Sequence, residues 1–585
     1  DVNFTRETIL NIVRALNPQN AHGWDEVSVR IVKLLDESLA TPLYLLFRNC
    51  LETGIFPSIW KQANVVPIHK KDDKSMKTNY RPISLLPVFG KIFEKLVYDV
   101  LYEHLVSQNL LSEKQSGFRK GDSCVNQLLS ITHKIYAAFD QDPALDVRSV
   151  FLDISKAFDK VWHAGLLFKL KRCGISGSLF NLMESYVCER YQRVTLNGST
   201  SSWKLVKAGV PQGSVLGPLL FLVYINDLLD YLRCDARLFA DDVSLFSTVF
   251  DAQKSYDDLS HDLNSIELWA FQWKMAFNPD PNKQAIEVIF STKRSPPFYR
   301  PLVFNTLIVS RAAEVRHLGL TLDKNLSFSS HIKKNISKVT KTAGLIRGLR
   351  KFLPRESLIL IYKSFVRPSI DYGDVIYHSP NPLLNKLESA QYQVALAITG
   401  AWKGSSAAKL YDDLDWETLA DRRCCRRLFL FWKIQRKLVP SYLSSIVQYS
   451  YSTYNLRGNG KLKNIYCRTN KFKNSFFPSA ISHWMHLDNS LRNIKVYIPF
   501  KTALTQIIRP SGKSTFNIHH PTGRSLLTQL RLGLSDLSAH KYLHNFVDSS
   551  DPSCRICFDG IEDTTHFLLE CKAFVSFRTT LINTV

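Results

Sequence analysis

Three acidic residues stand where acidic residues are costly. Asp153 closes the apolar run Val150-Phe151-Leu152, and Asp241-Asp242 separates Leu238-Phe239-Ala240 from Val243-Ser244-Leu245. The first run has the composition of a buried strand. Arg237–Phe246 has the pattern of a hairpin with the two acids at its tip. A bare carboxylate at the end of a buried strand is destabilising unless a cation neutralises it. Hard divalent cations take oxygen ligands, and phosphoryl transfer from a nucleotide needs two of them about 4 Å apart. One activates the attacking 3′-hydroxyl, and the other holds the triphosphate and the leaving oxygen. Taken alone, Asp241-Asp242 fits an ordinary acidic turn equally well.

Two neighbouring features bear on the choice. Phe158 follows Asp153 by five residues. Beyond a strand and a turn, its ring could lie under a nucleotide sugar and exclude a 2′-hydroxyl, or it could be ordinary core. The stretch Gly209-Val210-Pro211-Gln212-Gly213-Ser214-Val215-Leu216-Gly217-Pro218 precedes a long apolar helix, Leu219–Leu229. Glycines permit close backbone approach to a ligand, and a helix N-terminus suits phosphate. Gln212 can hydrogen-bond a base or sugar edge. A plain loop leading into a helix reads the same way.

A separate cluster lies near the C-terminus. Cys554-x2-Cys557-x8-His566-x4-Cys571 offers three thiolates and one imidazole. That set suits one closed, tetrahedral, structural zinc site with no open position for catalysis.

These residues need elements to carry them. Residues 1–60 read as helices, with Ile9, Ile12, Val13 and Leu16 in helical spacing. Residues 61–130 mix short strands and helices around the basic loop Lys70-Lys71-Asp72-Asp73-Lys74. Residues 147–325 look α/β. Residues 329–440 read as helical, with Ile332, Ile336, Val339, Ala343, Ile346 and Leu349 forming one apolar stripe. The other faces of that helix carry Lys333, Lys334, Lys338, Lys341, Arg347, Arg350 and Lys351, and no acid occurs in 329–351. Such a surface fits phosphates. An irregular basic stretch follows Pro440, in which 457–473 holds Arg457, Lys461, Lys463, Arg468, Lys471 and Lys473 without an acid.

The whole chain of 585 residues has 75 Lys and Arg against 52 Asp and Glu, a formal charge of +23. That excess points to polyanions, with nucleic acid first. A membrane is not expected. The longest strongly apolar run, near Val215–Ile225, is about half a spanning helix and is broken by Gly217 and Pro218. The 11 cysteines are mostly scattered, as in a reducing compartment, so an intracellular location in cytoplasm and nucleus is expected. The first residues, Asp1-Val2-Asn3-Phe4, show neither a signal peptide nor an initiator Met, which suggests a fragment.

Six stretches together carry a family resemblance. Phe151-Leu152-Asp153-Ile154-Ser155-Lys156-Ala157-Phe158-Asp159 resembles the first catalytic motif of non-LTR retrotransposon reverse transcriptases. Gly209–Leu216 resembles their Gln-Gly motif, and Phe239-Ala240-Asp241-Asp242 their catalytic hairpin. Asn79-Tyr80-Arg81-Pro82-Ile83-Ser84-Leu85-Leu86 and Gln115-Ser116-Gly117-Phe118-Arg119 resemble the finger motifs. Val315-Arg316-His317-Leu318-Gly319-Leu320 resembles the primer-grip hairpin. The texture is most similar to the jockey-like clade of LINE elements.

The resemblance implies an α+β right-hand polymerase with a helical, basic C-terminal region and a small zinc-binding end. Its parts would be an N-terminal helical extension (1–60), fingers (61–146), palm (147–328), thumb (329–440), basic region (441–550) and CCHC segment (551–575). It implies Asp153 and Asp241 as the main ligands of two Mg²⁺ ions, for which Mn²⁺ can substitute, and Asp242 as their companion. It gives Arg81 and Lys70 to the triphosphate, Phe158 to the sugar gate, and Gln212 with Gly213 to the nucleotide or template. Lys283 would protonate leaving pyrophosphate, although Asn278-Pro279-Asp280-Pro281-Asn282-Lys283-Gln284 departs from the family in spacing, and Gln284 stands where Thr is usual. The CCHC end, its zinc held by Cys554, Cys557, His566 and Cys571, would bind RNA or target DNA.

The expected reaction is extension of a DNA 3′-OH with dNTPs on an RNA template, in target-primed reverse transcription. The endonuclease that nicks the target is expected from a separate or missing N-terminal domain. Two rival readings exist. A decayed or domesticated copy would bind nucleic acid without catalysis, and the intact Asp153, Asp241 and Asp242 count against it. An intron maturase shares the palm, and the LINE-like motifs and CCHC end count against that.

Overall fold

The structure is a computed structural model that describes residues 2–70, 73–295, 297–377, 381–450 and 461–508. Nearer the C-terminus it describes 553, 554, 557, 561, 566 and 570–575. Lys71 and Asp72 of the basic loop, Arg457, and residues 509–550 of the basic region lie outside the described residues.

The fold is mixed α and β, in two compact units. The first comprises Asp1–Gln127, Asp142–Ala313 and Val439–Tyr442, and the second Leu128–Gln141, Glu314–Leu438 and Leu443–Val585. The division cuts across the sequence boundaries expected at 146/147 and 328/329. The first unit takes residues from both sides of the former, and the Glu314–Asp323 hairpin goes with the helical unit.

The first unit opens with helices α1 (Arg6–Ala15) and α2 (Asp36–Thr53). Strands β1 (Gln62–His69) and β2 (Tyr80–Leu85) follow, then helix α3 (Val88–Ser107). Next come β3 (Val147–Asp153), β4 (Arg190–Leu196), α4 (Leu216–Ile225), β5 (Asp235–Phe239) and β6 (Asp242–Thr248). Helix α5 (Ala252–Gln272) and strands β7 (Ala285–Phe290) and β8 (Ser310–Arg311) complete it. One sheet runs β8-β7-β3-β6-β5, and a second joins β2, β1 and β4.

Strand β3 is central because both its edges are paired and nearly all its side chains are buried. It runs antiparallel to β6 and to β7. Helix α4 is apolar all round, with every residue except Pro218 buried, as expected of an element enclosed on all sides. Its N-terminus would leave main-chain N–H groups without partners in the core. Glu94, 1% exposed, supplies the acceptor, taking the N–H of Val215 at 2.6 Å and of Leu216 at 3.2 Å. Burial raises the carboxyl pKa of Glu94, and Arg190 and those two N–H groups oppose the rise.

The buried charge in the middle of the main sheet is compensated, Glu287 standing opposite Val150 of β3. Glu287 in β7, 1% exposed, accepts from Arg148 Nε at 2.8 Å and from Arg311 Nε at 3.0 Å. Arg148 is fully buried.

The second unit is mainly helical. The hairpin β9 (Glu314–His317) and β10 (Leu320–Asp323) leads into helix α6 (Ser329–Leu349). As the sequence predicts, α6 buries Ile332, Val339, Ala343 and Ile346. Lys333, Lys334, Lys338, Lys341, Arg347 and Lys351 are exposed. Helices α7 (Pro382–Thr399) and α8 (Leu419–Gln435) follow. The stretch after Pro440 is more regular than its composition suggests. Helix α9 (Phe476–Met485) buries Phe476, Phe477, Ala480, Ile481 and Trp484, whose three- and four-residue spacing makes one apolar face. The basic residues before it hid that period. Among the described residues no helix is long and apolar enough to cross a membrane.

Glu287→Gln should leave two arginines facing a neutral amide in the core. The expected loss is about 3–5 kcal/mol of stability by urea denaturation. A change within about 1 kcal/mol would mean the pair holds little of the sheet.

Candidate active site

One end of the same sheet gathers acids without such partners. In the β3–β6 register Asp153 lies directly opposite Asp242. Strands β5 and β6 close with Phe239 paired to Asp242, so Ala240 and Asp241 form a two-residue turn. Ala240 adopts φ 56°, a left-handed conformation unusual for a residue with a Cβ. Three carboxylates therefore meet at one strand end and one turn. Among the described residues none of the three makes an ion pair.

The electrostatic result follows from that placement. Burial, then Asp241 and Asp153, push the Asp242 carboxyl up to about 7. Burial likewise raises Asp241, with Asp153 adding to the effect and Lys70 and Arg81 opposing it. Asp153 is held by Asn278, whose side-chain Nδ2 donates to Oδ2 at 2.7 Å and whose backbone N–H donates to the Asp153 carbonyl at 2.9 Å. A half-buried, all-oxygen cluster with no ion pair among the described residues suits hard divalent cations.

Beside the cluster lie the other predicted residues. Arg81 is exposed on β2, opposite Ile68 of β1, and Lys70 is exposed just beyond β1, its N–H on the Asn79 carbonyl at 2.8 Å. Phe158 sits on a 3-10 turn, Ala157–Lys160, after β3. Its half-buried ring stacks on the fully buried Phe221 at 4.8 Å and meets Phe118 edge-on at 5.9 Å. It is thus the outer edge of the core, with one side carried by α4.

The Gln-Gly loop is fastened to both neighbours. Gln212 donates from Nε2 to Asp159 Oδ1 at 2.9 Å, and its carbonyl accepts the Ser84 N–H at 2.7 Å. Gly213 has φ 124°, and a Cβ there would lie 2.5 Å from the Ser84 carbonyl. Only glycine fits. Gln212, Asp159, Lys156, Ser84 and Arg190 are among the residues lining a cavity of about 290 Å³.

Comparison with known proteins now bears on this geometry. Residues 68–322 match the reverse transcriptase (RNA-dependent DNA polymerase) family. That span contains all three acids and all six stretches that carry the resemblance. Residues 68–322 are a reverse transcriptase domain.

The relatives extend beyond the domain. The chain is 32% identical over 412 residues to the RNA-directed DNA polymerase from mobile element jockey of Drosophila melanogaster, covering 68% of this chain and 44% of that one. It is 30% identical over 433 residues to a probable RNA-directed DNA polymerase from transposon BS of the same species, covering 71% and 47%. It is 31% identical over 424 residues to the corresponding probable enzyme from transposon X-element, covering 70% and 45%. The chain spans about half the length of the curated relatives it matches.

Within the reverse transcriptase domain, three side chains carry structure that their sequence did not announce. Asn278 tethers Asp153, Asp159 holds Gln212, and Gln115 contacts the Ala240 turn. All three lie in or beside recognisable motifs, but each acts on a residue distant in sequence. Lys283 lies on a short helix, Pro281–Gln284, with 62% of its side chain exposed and its ammonium 3.0 Å from Asp280.

The C-terminal cluster also comes together. One ligand atom from each of Cys554, Cys557, His566 and Cys571 lies within 4.8 Å of the others. Cys554 Sγ and Cys571 Sγ are 3.9 Å apart, and Cys557 Sγ lies 3.1 Å from His566 Nε2. Tetrahedral zinc with bonds of about 2.3 Å spaces its sulfurs about 3.8 Å apart, so this donor set fits. His566 Nδ1, on the ring's other side, is 3.9 Å from Glu570 Oε2.

The raised Asp242 pKa predicts a pH dependence. The folded chain keeps that proton to about pH 7, whereas the unfolded chain releases it near 3.8. Its stabilising contribution is therefore complete below the unfolded value and is lost as pH rises through 7. Relative to Asp242→Asn, the metal-free chain should lose a few degrees of melting temperature between pH 5.5 and 8, and Mg²⁺ should restore more at pH 8 than at pH 6. Parallel calorimetric curves for the two proteins would contradict the buried-acid account.

Proposed function

We propose that the chain is an RNA-directed DNA polymerase that extends a 3′-OH primer with dNTPs on an RNA template. The observation that carries the reading is the convergence of Asp153, Asp241 and Asp242, with no ion pair to any of them among the described residues, inside a reverse transcriptase domain. Asp153 and Asp241 would hold two Mg²⁺ ions and Asp242 would add its charge. Bound there, the ions would activate the 3′-hydroxyl and neutralise the triphosphate and leaving oxygen.

The chain's own groups do the rest. Arg81 and Lys70 hold the triphosphate, their positive charge already felt at Asp241. Phe158, backed by Phe221, presents a rigid ring to the sugar. A 2′-hydroxyl would have to displace a ring that cannot retreat into the packed helix behind it. Gln212 is oriented by Asp159, which takes one amide hydrogen and leaves the side-chain oxygen for a nucleotide or template edge. Lys283 would donate the proton to pyrophosphate. In hand terms, residues 61–146 act as fingers, 147–328 as palm and 329–440 as thumb. The exposed cations of α6 would meet phosphates of the primer–template.

Cys554, Cys557, His566 and Cys571 would hold one structural zinc, with Glu570 steadying the histidine ring. That end would bind structured RNA or target DNA, in a reaction primed at a nick made by a separate endonuclease. The second reading, a non-catalytic nucleic-acid binder, has no observation in its favour.

Purified chain should extend a DNA primer on an RNA template with dNTPs and Mg²⁺. Asp241→Asn should lower the rate by about 10³-fold or more while keeping primer–template affinity, since charge is removed with little change in packing. Extension by the mutant at the wild-type rate would remove Asp241 from the metal site.

Elemental analysis should find about one zinc per chain, absent in Cys557→Ser, with weaker binding of structured RNA by the mutant. A zinc-free wild-type chain, purified reduced and without chelator, would refute the assignment.

A further inference from the structure

The turn that carries Asp241 is fixed by a side chain from outside the sheet. Gln115 is 4% exposed. Its Oε1 accepts the backbone N–H of Ala240 at 2.9 Å and that of Gly117 at 2.8 Å. Its Nε2 donates to the carbonyl of Ala240 at 3.4 Å. One amide thus meets both main-chain polar groups of the residue preceding Asp241.

The main chain around Gln115 is bound to the same hairpin. The Ser116 N–H donates to the Leu238 carbonyl at 2.9 Å, and the Leu238 N–H donates to the Lys114 carbonyl at 2.9 Å. Gln115 and Leu238 form a parallel bridge, which extends the sheet beyond β5. Gly117 then presses on the turn itself, where a Cβ would lie 2.3 Å from the Ala240 nitrogen. The far side of this segment is also held. Ser116 Oγ is 3.3 Å from Tyr442 Oη, and Tyr442 donates to the Asp122 carboxylate at 2.8 Å.

The turn needs such support. An alanine at φ 56° costs about 1–2 kcal/mol against the right-handed conformation. Asp242 faces Asp153 across the register with Asp241 beside it, so like charge pushes the turn outward. The buried N–H and C=O of Ala240 also require partners. A neutral planar amide offers a donor and an acceptor on two separate atoms, without charge. A carboxylate at 115 would lose the donor and add a fourth negative group.

We propose that Gln115 is a positioning residue for the metal-binding acids. It fixes the Ala240-Asp241 turn so that Asp241 and Asp153 share cations, and it touches neither substrate nor metal. The proposal rests on the two-metal reading above, and its test needs no turnover.

The test is Mn²⁺ binding to the full chain, followed by electron paramagnetic resonance, with the aspartate site defined as the signal lost in Asp241→Asn. Gln115→Met should raise the half-saturating Mn²⁺ concentration about 10–100-fold, the usual effect of removing a group that orients a metal ligand. Primer–template affinity in the absence of divalent cation should stay near wild type, which verifies folding. Gln115→Asn, one methylene too short to reach the turn, should shift Mn²⁺ binding in the same direction, and it decides the matter if the Met variant does not fold. Wild-type Mn²⁺ affinity in a folded variant would overturn the proposal, as would the absence of any aspartate-dependent Mn²⁺ site in the wild-type chain. A wild-type chain that binds Mn²⁺ there but does not extend a primer would defeat the polymerase reading, and the Gln115 shift would still stand.

Discussion

Like charges at short range are the constraint around which the first unit is built. Asp153 and Asp242 face each other across adjacent strands, and Asp241 occupies the turn beside them. In the middle of the same sheet, opposite Val150, Glu287 is shared by Arg148 and Arg311. The contrast matters. Where charge serves only the fold, the protein supplies its own counter-ion. At the three acids no ion pair is present among the described residues, and the cost is visible in the raised pKa of Asp242. Stability and function thus pull in opposite directions within one sheet.

The acids are held by neutral donors and by backbone contact. Asn278 ties down Asp153, Gln115 ties down the turn, and Gln212 is itself tied by Asp159. Amides orient a carboxylate or a turn without neutralising the charge a metal must meet. The glycines serve the same end. Gly213 and Gly117 each bring two backbones closer than any Cβ allows, against Ser84 and Ala240 respectively. The site is therefore made rigid from its main chain outward.

Much of this was legible in the sequence. Asp153 stood out because it ends a run of buried-strand residues, and Asp241-Asp242 because apolar residues flank it on both sides. The α6 stripe and the spacing of Cys554, Cys557, His566 and Cys571 were equally readable, since each is a local pattern with one physical meaning. What stayed hidden was long-range. Gln115 acts on Ala240, 125 residues away, and its own surroundings, Lys114 and Ser116, give no sign of burial. The two compact units interleave in sequence, so no composition shift marks them. Phe158 could be read as core or as a sugar contact, and its stacking on Phe221 shows why: one face is core and the ring is only half buried.

The central claim is that the three acids exist to hold a pair of divalent cations. Crystals of the chain with primer, RNA template and an unreactive dNTP analogue, grown in Mn²⁺, test it by anomalous scattering. The account predicts two peaks about 4 Å apart, held by Asp153 and Asp241. A map with no peak at these acids, in crystals where nucleotide and primer terminus are clearly bound, would contradict it.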